Sequence, residues 1–245
     1  MNSIILRMKS RLTNRSYSEQ GILLLTSVIV GVGAGIGEVI FLWLLEEVQA
    51  ISLSPEGIFS RISPYHLIFV PAIGGLIVGP IIYLFAHEAK GHGVPSVMEA
   101  VAIKGGRIRP QVAIVKVIAS AITIGSGGSA GSEGPIAQIG AGLGSTIGQL
   151  FKLSEEQMRA LVACGAAGGI AAVFHAPIGG AIFAMEVILG RLHTVYFGAV
   201  VISSVVASVV SQFFQKGSSI FLVPQYELKS PWELLFYVVL GFLAA

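Results

Sequence analysis

One carboxylate in this chain stands where a charge is costly. Glu133 lies in Gly125-Ser126-Gly127-Gly128-Ser129-Ala130-Gly131-Ser132-Glu133-Gly134-Pro135, a glycine-rich break in very apolar sequence. An ionisable side chain at membrane depth is expensive and marks function by default. The flanking glycines free the backbone, and Pro135 suits the first position of a new helix. A carboxylate there would hang over a helix N-terminus, whose main-chain N–H groups favour anions. The expectation is a mobile side chain over an anion site. Small-residue helix packing is the plainer account of the glycines, supported by Gly140, Gly144 and Gly148, but it leaves Glu133 unexplained.

Three other segments could carry chemistry. Gly91-His92-Gly93-Val94-Pro95-Ser96 precedes an apolar run, and forms either an anion-binding nest at a helix start or an ordinary turn. His92 is no metal candidate, because His87 shares no established helical register with it and no carboxylate–histidine cluster forms. Glu186, in Gly179-Gly180-Ala181-Ile182-Phe183-Ala184-Met185-Glu186-Val187, ends an apolar helix just before Arg191, which favours a locally paired or solvated carboxylate. Lys116 is either a snorkelling lysine or an interior charge that raises the local positive potential. A Walker A loop is excluded because no Gly-Lys-Ser/Thr follows the glycines, and a nucleophile elbow because no Gly-x-Ser-x-Gly sits in a strand-to-helix setting. No nucleophile–base pair or metal-ligand set can be assembled, so neither an enzyme nor a metal or organic cofactor is expected. Cys164, the single cysteine, lies in an Ala/Gly run and excludes disulfides within the chain.

The elements that position these residues follow from hydropathy. Of 245 residues 54% are hydrophobic and 11% charged, and mean hydropathy is +0.83; soluble domains carry about 25% charge. This is an all-α, polytopic integral membrane protein, with the lipid bilayer as its solvent. No basic stripe with interleaved aromatics suggests nucleic acid, and no signal peptide precedes the first span. Residues 1–20 form a basic arm with Arg7, Lys9, Arg11 and Arg15, expected in the cytoplasm. Gly21–Leu45 is long enough to span. Glu46–Pro64, with Glu46, Glu47, Glu56 and Arg61, fits the outer side, and His66–Phe85 returns inward. His87–Pro110 is basic again, with Lys90, Lys104, Arg107 and Arg109. The runs 111–125, 135–150, 161–173 and 177–189 are too short for ordinary spans and suggest tilted, broken or re-entrant helices. Irregular backbone at membrane depth is tolerated inside protein or facing a wet cavity, so residues 91–190 should hold a solute path. Phe197–Phe214 is a full span, and Pro231–Ala245 starts another that reads as cut short.

Together these segments resemble the CLC family of chloride channels and proton-coupled chloride antiporters. Gly91 to Pro95 is similar to the family's first anion motif, Gly-Ser-Gly-Ile-Pro. Gly131-Ser132-Glu133-Gly134-Pro135, followed by Gln138-Ile139-Gly140, is similar to its second, Gly-Arg-Glu-Gly-Pro. Lys116 fits the family lysine in the helix preceding that second motif, and Gly165-Ala166-Ala167-Gly168-Gly169, His175-Ala176-Pro177 and Phe183 to Val187 resemble later helices of the same half. The resemblance implies two inverted repeats, of which 21–230 is the first and 231–245 the truncated start of the second, after the 1–20 arm. It implies chloride and similar small anions as ligands, held near His92, Gly93, Val94, Gly131, Ser132 and Gly134, with Glu133 as gate. It also implies a homodimer with contacts near Pro177 to Phe214, a cytoplasmic N-terminus, and the plasma (inner) membrane of a prokaryote. The family's third motif and its pore tyrosine belong to the second repeat, so the chain carries half a site. His92 replaces a serine, Ser96 an acidic residue and Ser132 an arginine. Val187, beside Glu186, replaces an inner proton-transferring glutamate, which favours channel-like conduction. The alternatives are a proton–chloride antiporter, a non-conducting assembly subunit or fragment, and an unrelated small-solute permease.

Overall fold

The computed structural model describes residues 2–53, 68–190, 194–215 and 230–244, those before Gln20 by backbone only. Glu56, Arg61 and Arg191 fall outside the described residues, as do the side chains of Arg7, Lys9, Arg11 and Arg15. All regular structure among the described residues is helical: α1 (Asn2–Leu53), α2 (Val70–Phe85), α3 (Val94–Ile103), α4 (Pro110–Gly125), α5 (Glu133–Leu150), α6 (Glu155–Phe174), α7 (Pro177–Phe183), α8 (Thr194–Phe214) and α9 (Glu233–Ala244). A 3-10 turn, His87–Ala89, follows α2, and α7 runs into a π-helical turn, Ala184–Ile188.

Among the described residues, three helices are long and apolar enough to cross a membrane: Gln20–Leu53, Glu155–Phe174 and Val195–Phe214. The basic arm is not set apart from the first span, since α1 is continuous from Asn2. The expectation of a short run at 161–173 is corrected. Polar residues in its first turn disguise α6, which is 20 residues long and starts on a capping box between Ser154 and Gln157. The helix stops at His175, in the left-handed region (φ 49°), with Pro177 opening α7. By contrast α4 has 16 residues, or about 24 Å, short of a hydrocarbon core of about 30 Å.

The centre of the fold is α6, where every residue from Ala160 to Val173 is buried. Small side chains let its backbone approach α5. A Cβ on Gly140 would run into the Gly165 carbonyl, one on Gly144 into that of Leu161, and one on Gly148 would lie 2.6 Å from Met158 Sδ. The four-residue spacing read as packing is a helix–helix seam. On the other side, Gly31 and Gly35 of α1 approach the Ser203 and Ala207 carbonyls of α8, 2.7 Å from an added Cβ in each case. Ser203 Oγ donates to Cys164 O at 2.9 Å, joining α8 to α6. Gly140→Ala therefore forces two backbones apart, and a loss of about 1–3 kcal/mol is expected, read as a lower unfolding temperature in detergent. Gly198→Ala, with no atom within 4 Å of an added Cβ, should leave that temperature unchanged or slightly raised.

Candidate functional site

The two glycine loops meet. Gly93 sits at φ 94°, a conformation that side chains rarely adopt, and a Cβ there would strike the Gly134 carbonyl. A Cβ on Gly134 would in turn strike the His92 carbonyl. Glycine at both positions is thus a condition of the loops touching backbone to backbone. Beside the junction is a cavity of about 420 Å³, lined among others by His92, Val94, Lys116, Ser120, Gly131 and Glu133.

Two helices begin at this cavity, and neither start is capped by a side chain. In α3 the N-cap is Gly93; in α5 it is Ser132, whose hydroxyl makes no cap hydrogen bond. The first N–H groups bonded back to the caps are those of Val97, to Gly93 O at 3.1 Å, and Ile136, to Ser132 O at 3.0 Å. The N–H groups of Val94, Ser96, Glu133 and Gly134 precede them and have no intrahelical acceptor. Ser154, at the start of α6 and away from the cavity, shows the other solution by capping its own helix. Two positive dipole ends and their free donors thus border one cavity, an arrangement that attracts anions.

Of the residues singled out from sequence, His92, Val94, Gly131, Glu133 and Gly134 line the cavity. Gly93 is buried at the loop junction, and Ser132 closes the start of α5. Two corrections concern Glu133. The helix begins at Glu133 rather than at Pro135; proline in the third position costs no hydrogen bond, because that N–H has no helical acceptor. The side chain is also exposed on the cavity wall rather than buried. It folds back over Gly131, where an added Cβ would strike its Oε2. It makes no hydrogen bond or ion pair with the described residues. Glu186 and Val187 do not join this cavity. Both lie in the π turn, Glu186 exposed and Val187 on a separate cavity of about 630 Å³.

Lys116 resolves as an interior charge. It is 3% exposed, and its Nζ donates to Gly91 O at 2.6 Å and Ala89 O at 3.0 Å. It ties the first glycine loop to α4. Gln138, at 2% exposure, anchors the preceding turn by donating from Nε2 to Glu88 O at 3.0 Å. Its Oε1 is buried without a hydrogen-bond partner, near Gly93. Ser120 and Thr123 also line the cavity and were not foreseen; the signal was there, since Lys116, Ser120 and Thr123 repeat at i, i+4, i+7 in an apolar helix. Glu38 was missed as well. It is 1% exposed in α1 and accepts from Gln215 Nε2 at 2.8 Å.

A family model described as Voltage gated chloride channel matches residues 74–245. The chain is 30% identical over 238 residues to the voltage-gated ClC-type chloride channel ClcB of Yersinia pseudotuberculosis, covering 90% of this chain and 56% of that protein. It is 34% identical over 165 residues to the H(+)/Cl(-) exchange transporter ClcA of Vibrio vulnificus, covering 63% and 34% respectively. Among solved structures, a CLC-type fluoride/proton antiporter superposes with a TM-score of 0.74 at 25% identity, covering 93% of this chain and 55% of that one. The chain thus spans about half, or less, of the length of these relatives.

Proposed function

The chain belongs to the CLC family of voltage gated chloride channels, and we propose that it supplies one half of a gated pathway for chloride and similar small anions. The observation that carries this is the meeting of two uncapped helix N-termini, those of α3 and α5, at one cavity with an unpaired carboxylate on its wall. The main-chain donors of Gly93, Val94 and the Glu133–Gly134 segment hold the anion, with Gly131 and Ser132 shaping the approach. The ammonium of Lys116 is engaged by two carbonyls and adds positive potential rather than a contact. Without a free cation at the site, binding stays weak enough for release. Ionised Glu133 mimics an anion and fills the outer position; protonation, or displacement by chloride, swings it away. The polypeptide is a membrane protein of a family whose named members are channels and exchangers, which accords with transport rather than catalysis.

Channel-like conduction is the first choice because Val187 stands where the family likeness implies an inner proton-transferring glutamate. Proton-coupled exchange is the second, favoured by the similarity to proteins named as exchangers. The experiment that separates them uses a protein carrying both halves of the pathway, reconstituted in liposomes. Chloride efflux under a potassium–valinomycin shunt is expected, with no uphill proton movement when a chloride gradient is imposed. Proton pumping would overturn the channel assignment, and folded protein without efflux would overturn transport. By family likeness we also propose a homodimer using the 177–214 region, where Val205, Val209 and Phe213 of α8 form an exposed apolar row. A cytoplasmic N-terminus in a prokaryotic plasma membrane belongs to the same proposal.

A further inference from the structure

We propose that a second, basic cavity beside the His87–Ala89 turn binds the phosphate headgroup of an anionic membrane lipid, and that occupancy acts on the anion site through a shared wall. This cavity, of about 350 Å³, is lined by Lys90, Lys104, Arg107 and Arg109, with Glu88 and Glu99 among them. Lys104 is paired with Glu99 at 2.9 Å and Arg109 with Glu88 at 2.6 Å. Lys90 and Arg107 have no acidic partner among the described residues, which leaves two cations in excess.

The backbone that carries the cations is held in place before any ligand arrives. Ser145 Oγ accepts from Ile108 N at 2.8 Å and donates to Gly106 O at 2.7 Å, and Gln149 Nε2 donates to Ile108 O at 2.8 Å. These bonds fix the 104–109 loop on α5, while Gln138 fixes Glu88 from the other side. A pre-organised site spends less of its interaction energy on ordering. Exposed single charges attract one another weakly in water, so a lone chloride gains little here. A phosphate group meets both unpaired cations and offers a guanidinium two oxygens in its own plane.

A lipid is favoured over a soluble phosphate by what lies next to the cavity. The His87 ring packs against Tyr83 at 5.0 Å between centroids. In that last turn of α2, Tyr83, Leu84 and Phe85 are 70%, 71% and 62% exposed. In a membrane protein such a surface takes acyl chains, and a basic pocket at its end takes the headgroup. The shared wall is the segment 87–92: His87, Glu88 and Lys90 face this cavity, whereas Ala89, Gly91 and His92 face the anion cavity. The clause on coupling rests on the anion-pathway assignment; the binding clause does not.

The test uses the purified protein in phosphatidylcholine nanodiscs with phosphatidylglycerol titrated in, binding being read by native mass spectrometry. A preference of about tenfold or more for phosphatidylglycerol is expected. It should fall to near unity in Lys90→Ala/Arg107→Ala and be kept in Lys90→Arg/Arg107→Lys, while millimolar inorganic phosphate fails to displace the lipid. An unchanged preference in the alanine variant overturns the site. Displacement by inorganic phosphate with the same residue dependence overturns the lipid as its ligand. In vesicles holding a protein with both halves of the pathway, chloride efflux should differ at least twofold between phosphatidylcholine and mixed lipid in the wild type alone. Lipid binding with equal efflux overturns the coupling, and lipid binding with no efflux in any vesicle overturns the anion pathway while upholding the lipid site.

Discussion

Glu133→Gln is expected to abolish the pH dependence of anion flux and to hold the flux near the wild-type acidic level at every pH. The expectation follows from what surrounds the carboxylate. It has no counter-ion or hydrogen-bond donor among the described residues, it lines the cavity, and it belongs to the first residue of an uncapped helix. Anions at a helix N-terminus gain about 0.3–1 kcal/mol each when exposed and up to about 2 when partly buried. An ionised Glu133 and an entering chloride compete for that gain at two helix ends. Acidification neutralises the competitor, so wild-type flux should rise as pH falls, by roughly five- to thirtyfold if one to two kcal/mol are released. Glutamine keeps the shape and is neutral throughout, so its profile should be flat. Efflux from liposomes between pH 4.5 and 7.5 measures this, and a glutamine variant that retains the wild-type slope would remove Glu133 from the gate.

Much of the site is legible in sequence because its chemistry is main-chain chemistry. Glycines, prolines and a lone carboxylate mark where helices start, and Gly91 to Pro95 and Gly131 to Pro135 carry that information locally. The family likeness then linked the two loops, which no periodicity could do. What escaped depends on contacts across the fold. Lys116 has the same sequence signature whether it snorkels or turns inward; only the placement of the Gly91 carbonyl over α4 decides. Glu38 stands 177 positions from the Gln215 that bonds it, so nothing near it announces a partner. The true length of α6 was hidden because Glu155, Glu156 and Arg159 lower the hydropathy of its N-terminal end. The register of α5 was misjudged by two residues because proline is as compatible with the third helical position as with the first.

Lys116→Met should reduce anion flux at least tenfold while leaving the protein inserted and folded in detergent. The methionine fills nearly the same space, so packing on α4 survives. What is lost is the pair of donated hydrogen bonds to Ala89 O and Gly91 O, at a position only 3% exposed. Stranding a buried acceptor costs about 1–3 kcal/mol, and the 89–91 backbone can relieve that cost by moving toward water. Such a move carries His92 with it and opens the contact between the His92 carbonyl and Gly134 on which the two helix starts depend. Loss of the positive potential acts in the same direction, and the two causes can be separated. Lys116→Arg keeps the charge, but its rigid fork cannot reproduce the point-like ammonium between two carbonyls. If the tether dominates, arginine should recover only a minor part of the flux; if potential alone matters, it should recover nearly all. Flux in Lys116→Met within twofold of wild type would show that the loop holds its place without the lysine, leaving the Gly93–Gly134 backbone contact as what joins the two halves of the site.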